Sequence, residues 1–278
     1  MTSDASRLLT RLQEWAEREG GLPEFAALYR DLLTVQLKAG PRVVPGPLPP
    51  PEVVMERHRQ GVPALRFDEV PWEWSLFGNL LREVVGILVR YQVIGADEAE
   101  GLEKVAGDPS FLREAARSLY EGRELPERGT GTAGARVSRT AIHVVFWPFL
   151  SRCSEALSPL VQQGGWLRGN CPICGGVPDL GYLEKEAGAR WLLCSRCDAR
   201  WLFKRLECPY CGNEEQEQLS YLASEDGLYR LYLCEACREY LKVVDLRKTE
   251  SEVVLPLERL LTLDMDRQAH EAGYGPHQ

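Results

Sequence analysis

Eight of the nine cysteines in this chain fall in four Cys-x-x-Cys pairs near its C-terminal end: Cys171-Pro-Ile-Cys174, Cys194-Ser-Arg-Cys197, Cys208-Pro-Tyr-Cys211 and Cys234-Glu-Ala-Cys237. Two residues between two thiolates place both sulfurs on one tight turn, aimed at a single tetrahedral ion. Two such pairs close a Cys₄ site, so four pairs predict two sites. A lone pair would read equally as a redox dithiol. Four together point to metal binding.

The pairs also repeat. Arg190-Trp-Leu-Leu-Cys194-Ser-Arg-Cys197 recurs as Arg230-Leu-Tyr-Leu-Cys234-Glu-Ala-Cys237, and Cys171-Pro-Ile-Cys174-Gly175 recurs as Cys208-Pro-Tyr-Cys211-Gly212. The repeating unit is a CPxCG knuckle, a β-rich segment and a second knuckle. The repeat predicts one site from Cys171, Cys174, Cys194 and Cys197, and another from Cys208, Cys211, Cys234 and Cys237. A crossed pairing would break it. Gly175 and Gly212 suit a fold-back that needs positive φ. Short strands are expected at 191–193, 201–203, 231–233 and 241–243. Units this small bury little apolar surface, so the ion must hold them; a structural zinc is worth about 10–16 kcal/mol in such lobes. Tetrahedral S₄ suits zinc and iron alike. Structural zinc is the commoner case, while CPxCG is also the knuckle of rubredoxin-type iron sites.

The preceding part of the chain reads as helical. Leu8, Leu12, Trp15 and Ala16 recur at helical spacing, and Phe25, Leu28, Tyr29, Leu32 and Leu33 mark the face of a second helix starting near Pro23. Pro41 to Pro51 is too rich in proline for regular structure and should form a strap or linker. Leu76, Leu80, Val84, Ile87, Leu88 and Tyr91 predict a helix at the centre of a bundle. Asp97 and Asp108 read as N-caps of two more helices, the second with Pro109 at its first position. Gly129 to Gly134 lacks the Gly-Lys-Ser/Thr of a phosphate loop and reads as a flexible loop. A last helix is expected at 139–163. It carries the ninth cysteine, Cys153, which reads as inert packing. His58, His143, His270 and His277 are scattered with no evident partner, and no nucleophile–base pair or paired-carboxylate site is visible.

Composition narrows the function classes. Net charge is −8, and residues 166–247 carry 11 Lys and Arg against 13 Asp and Glu. That balance disfavours a phosphate-tracking surface, so a zinc-ribbon nucleic-acid binder is the weakest reading. The start has an early Asp4 and no apolar signal core, and the apolar stretch 76–94 is broken by Arg82, Glu83 and Arg90. A cytoplasmic protein without a membrane span is expected. There, cysteine pairs are more often ligands than disulfides.

The knuckle region resembles the FdhE family, the formate dehydrogenase accessory proteins. Residues 166–178 (WLRGNCPICGGVP) look like that family's entry into its first knuckle, and 190–212 (RWLLCSRCDARWLFKRLECPYCG) are similar to its middle. Residues 234–242 look like its fourth knuckle, and 253–275 resemble its closing helix and tail. The resemblance implies an all-helical N-terminal domain (1–165), two tandem rubredoxin-like, zinc-ribbon Cys₄ lobes (166–206 and 207–249) and a C-terminal helix with tail (250–278). It implies a maturation factor that binds the catalytic subunit of a molybdenum- or tungsten-dependent formate dehydrogenase and is not itself an enzyme. It carries the eight cysteines over as ligands and describes iron binding, so iron and zinc both stay open. A rubredoxin-like redox or thiol-exchange protein is the alternative, and a homodimer is left open. Trp201, Arg205, Tyr240 and Lys242 are the partner-contact candidates, against a plainer reading as strand packing and solvated faces.

Overall fold

Amphipathic spacing makes helices, and no strand, of the described residues in the first of two units of this protein. The computed structural model describes residues 3–44, 46–125 and 132–277. One unit comprises Met1–Leu48 and Arg66–Cys153, the other Pro49–Leu65 and Ser154–Gln278.

In the first unit, α1 (Ser3–Glu19) buries Leu8 and Leu12, and α2 (Glu24–Ala39) follows with Pro23 as its N-cap. The buried face of α2 is Ala26, Leu33 and Ala39. Phe25, expected to point inward, is 45% exposed and meets Trp15 edge-on. The proline-rich stretch makes a 3₁₀ turn at Gly40–Arg42 and an extended run, then Pro51 opens an unexpected helix, α3 (Pro51–Arg59), in the other unit. Proline is at home in a first turn, where its missing N–H costs nothing. Only Val54 of α3 is buried, so periodicity gave no sign of it.

The bundle helix, α4 (Trp74–Arg90), buries Leu76, Leu80, Val84, Ile87 and Leu88, as its pattern required. Next, α5 (Ala96–Gly107) starts two residues earlier than expected. Gly95 is its N-cap, and Glu98 rather than Asp97 accepts the Gly95 N–H at 3.0 Å. In α6 (Pro109–Tyr120) Asp108 does cap, accepting Ser110 N at 3.0 Å and Phe111 N at 3.1 Å. Residues 129–131 of the glycine-rich stretch lie outside the described residues; from Thr132 the chain is not a loop but the start of α7 (Thr132–Leu157). That helix ends before the expected 163 because Pro159, in the 3₁₀ turn Ser158–Leu160, cannot continue it. An aromatic cluster forms the core: Trp72 lies 5.4 Å from both Phe146 and Phe149, and Phe77 stacks on Phe149 at 5.7 Å. Cys153 is buried.

In the second unit, short α8 (Gln163–Trp166) precedes β1 (Pro178–Leu183), β2 (Arg190–Cys194) and β3 (Arg200–Phe203), then β4 (Leu219–Ala223), β5 (Tyr229–Cys234) and β6 (Glu239–Asp245). Each repeat makes three antiparallel strands. The two sets fuse into one six-stranded sheet, β3-β2-β1-β6-β5-β4, through parallel pairing of β1 with β6 from Leu180↔Lys242 to Leu183↔Asp245. The closing segment folds as two short helices, α9 (Leu255–Leu261) and α10 (Leu263–Glu271). Leu255 of α9 joins Leu180, Leu193 and Val244, while Ala269 of α10 joins Leu231, Leu233 and Tyr240. Among the described residues, no helix is long and apolar enough to cross a membrane.

Candidate metal centre

The chain brings the eight cysteines together in two quartets: Cys171, Cys174, Cys194 and Cys197, and Cys208, Cys211, Cys234 and Cys237. Within the first, Cys171–Cys197, Cys174–Cys194 and Cys174–Cys197 sulfurs are each 3.6 Å apart. Within the second, Cys208–Cys237 and Cys211–Cys234 are 3.7 Å apart. A tetrahedron with metal–sulfur bonds of about 2.3 Å has edges of about 3.8 Å. A disulfide would need about 2.0 Å. The spacing therefore fits an S₄ ion and not two disulfides.

Backbone geometry repeats between the quartets as closely as the sequence does. Cys171 N donates to Gly176 O at 2.7 Å and Gly175 N to Cys171 O at 3.0 Å; Cys208 N donates to Asn213 O at 2.9 Å and Gly212 N to Cys208 O at 3.0 Å. Gly175 and Gly212 have φ of +73° and +74°. The left-handed conformation is cheap for glycine and costs other residues about 1–2 kcal/mol. The second knuckle of each repeat turns on such a residue without glycine: Asp198 at φ +56° and Arg238 at +59°. These two follow Cys197 and Cys237, and no turn residue in the sequence announced them.

In the first quartet, enclosure disfavours thiolate charge that no ion compensates. Burial pushes the Cys171 and Cys197 thiols well above the usual value, while hydrogen bonds from Cys171, Cys194 and Cys197 hold Cys174 well below it. A set of enclosed sulfurs can share only limited negative charge without an ion among them. In the second quartet burial raises Cys208 to about 11. Backbone donors supplement the sulfurs, with Ile173 N on Cys171 Sγ and Arg196 N on Cys194 Sγ, both at 3.4 Å.

Several supporting residues could not be found from the sequence. Arg259 of α9 reaches Asp198 at 2.7 Å, the Cys194 carbonyl at 2.9 Å and Asp179 at 3.0 Å, clamping the second knuckle of the first quartet. His58 and His277 do have partners. His58 packs on Trp166 with its Nε2 2.9 Å from Pro172 O, and His277 stacks on Tyr210 at 4.8 Å and pairs with Glu239. Neither belongs to a quartet. His143 is half-buried against Phe146, and His270 meets Tyr240 edge-on. Of the four contact candidates, Trp201 is fully buried with its indole N–H on Arg168 O. Tyr240 and Lys242 are buried and both bond Asp266 at 2.7 Å. Only Arg205 is exposed.

Residues 170–205 match the family model described as "FdhE, central domain". The chain is 36% identical to a "Protein FdhE homolog" of Aquifex aeolicus over 113 residues, covering 39% of this chain and 40% of that protein. A "Protein FdhE homolog" of Edwardsiella ictaluri is 31% identical over 179 residues, covering 63% and 54%. The aligned part is thus about half or less of each relative's length. The fold matches the crystal structure of the FdhE protein from Pseudomonas aeruginosa at a TM-score of 0.66 and 24% identity, over 100% of this chain and 94% of that one. The family-model match over 170–205, relatives of one description and a shared fold converge: the chain is similar to FdhE proteins in its knuckle region and in its fold.

Proposed function

We propose that this protein is a cytoplasmic maturation factor for a molybdenum- or tungsten-dependent formate dehydrogenase, binding the catalytic subunit without turning over substrate itself. The observation that carries the reading is the duplicated Cys₄ unit, whose first copy matches the family's central domain. Cys171, Cys174, Cys194 and Cys197 hold one ion, and Cys208, Cys211, Cys234 and Cys237 hold the other. Each ion, iron or zinc, supplies a cross-link between the two knuckles of its repeat. The sheet is then a rigid platform, and Arg205 is the exposed member of the contact candidates.

Affinity capture from anaerobic, formate-grown cells tests the partner. The dehydrogenase catalytic subunit is expected with the intact chain and is expected to be lost with Cys171→Ser. Its absence from the intact chain's eluate under those conditions refutes the reading. Elemental analysis of the same sample decides the metal: about two ions of zinc or iron per chain are expected from two S₄ quartets, and a colourless zinc protein excludes the rubredoxin-like redox alternative.

A further inference from the structure

We propose that the two Cys₄ sites are unequal: the second is an open site at which a thiolate donor from solution can enter the coordination sphere of the ion, while the first is sealed. The inference rests on both quartets holding metal.

The duplication supplies its own control, because two copies of one knuckle differ in what covers them. Over the first knuckle lies the segment after α3. Ala64 N donates to Pro172 O at 2.8 Å and Leu65 N to Ile173 O at 2.9 Å. A Cβ on Gly175 would sit 3.2 Å from Pro63 Cγ, and one on Gly176 would sit 3.1 Å from Cys194 Sγ. With His58 also on Pro172 O, the four cysteines are 0–2% exposed.

The matching knuckle of the second repeat has the same backbone but is covered on one side only, where Gly169 packs against Pro209 O and His277 stacks on Tyr210; its Cys211–Gly212 side is open. A Cβ on Gly212 would meet nothing within 4 Å. Cys211 is exposed and Cys237 partly so, although Cys208 and Cys234 stay buried. Two cavities flank the quartet: one of about 330 Å³ includes Cys208 and Cys234 in its wall, and another of about 870 Å³ includes Cys208, Pro209 and Gly212. The sequence carries the difference. Gly175 is followed by the apolar Gly-Val-Pro, and Gly212 by Asn-Glu-Glu-Gln-Glu, which stays solvated.

Ligand exchange at a tetrahedral ion goes through five-coordination, so it needs space for a fifth donor beside the metal. The sealed quartet offers none. At the open one, Cys208, Cys211, Cys234 and Cys237 would hold the ion, and the exposed Cys211 would be the ligand to give way to an incoming thiolate, its own thiolate then taking a proton from water. The oxidation state of the metal does not change.

The test uses the full chain loaded with two equivalents of Zn²⁺ and challenged with excess dimercaptosuccinate. Zinc is expected to leave in two equal phases differing about tenfold or more in rate. Iodoacetamide mapping by mass spectrometry should find Cys211 and Cys237 alkylated in step with the fast phase. His58→Ala, which loosens the cover, should speed only the slow phase. Release in one phase, or a slow phase that maps to Cys208–Cys237, overturns the inference and leaves the two-metal reading standing. A chain that takes up no zinc or iron overturns both.

Discussion

Asp245→Asn is the substitution whose cost the structure sets most directly. Asp245 ends β6, where the two repeats join, and its side chain is fully buried. It accepts from Arg230 Nη2 at 2.6 Å, from Arg247 Nε and Nη2 at 2.7 Å each, and from the Arg247 backbone N–H at 3.3 Å. Asparagine keeps the shape but removes the charge, and turns an N–H₂ toward a guanidinium. Removing one side of a buried ion pair costs about 3–5 kcal/mol. Arg247 is 32% exposed and recovers part of its hydration, while Arg230, at 13%, recovers little. The expected loss is about 2–4 kcal/mol, or roughly 5–15 °C in the melting of the metal-loaded chain.

The pH dependence has a definite sign. Hydrogen bonds from Arg247, with the nearby charge of Arg230, hold the Asp245 carboxyl below its ordinary value of 3.8. A carboxyl depressed in the folded state stabilises above its unfolded pKa and loses that contribution only as pH falls through the folded one. The gap between wild type and Asp245→Asn should therefore be constant from about pH 8 to pH 5.5 and shrink only below about pH 4. Urea melts of both proteins across that range measure it. A gap under about 0.5 kcal/mol, or one that narrows by pH 5.5, refutes the reasoning.

Gly176→Ala should weaken the first site selectively, since its Cβ would lie 2.9 Å from Arg196 Cδ and 3.1 Å from Cys194 Sγ. Competition with a chelator should show a loss of about tenfold or more at that site and none at the other. Gly175→Ala and Gly212→Ala each force a side chain into positive φ at about 1 kcal/mol. Gly175→Ala should cost more, because only Gly175 has a proline in the way, and urea midpoints compare them. Cys153→Ala should leave metal stoichiometry unchanged and lower stability by about 1 kcal/mol, the cost of a small core truncation; a lost metal equivalent would show that Cys153 is no mere packing residue.

Local signals were legible in the sequence. The 3.6-residue period of Leu76 to Leu88 set the buried face of α4, and Asp108-Pro109 set the start of α6, because caps and periods act within one turn of the chain. The repeat of the knuckles and their glycines set which four cysteines would meet, since each Cys-x-x-Cys turn is a local structure and duplication reproduces it. Phe25 and the start of α5 were misread for a related reason: several neighbours offered the same local pattern, and only packing chose among them.

Long-range decisions left no mark of that kind. Nothing near β1 or β6 says that they pair in parallel and turn two repeats into one sheet. That register depends on burying both strands beneath Leu255 and its neighbours. Arg259 and His58 reach the first quartet from distant positions, so neither had a motif beside it. The sequence by itself determined two metal-sized quartets of sulfur. Tertiary structure decided that the segment ending at Leu65 would cover one of them, since only one copy of that segment exists for two copies of the knuckle.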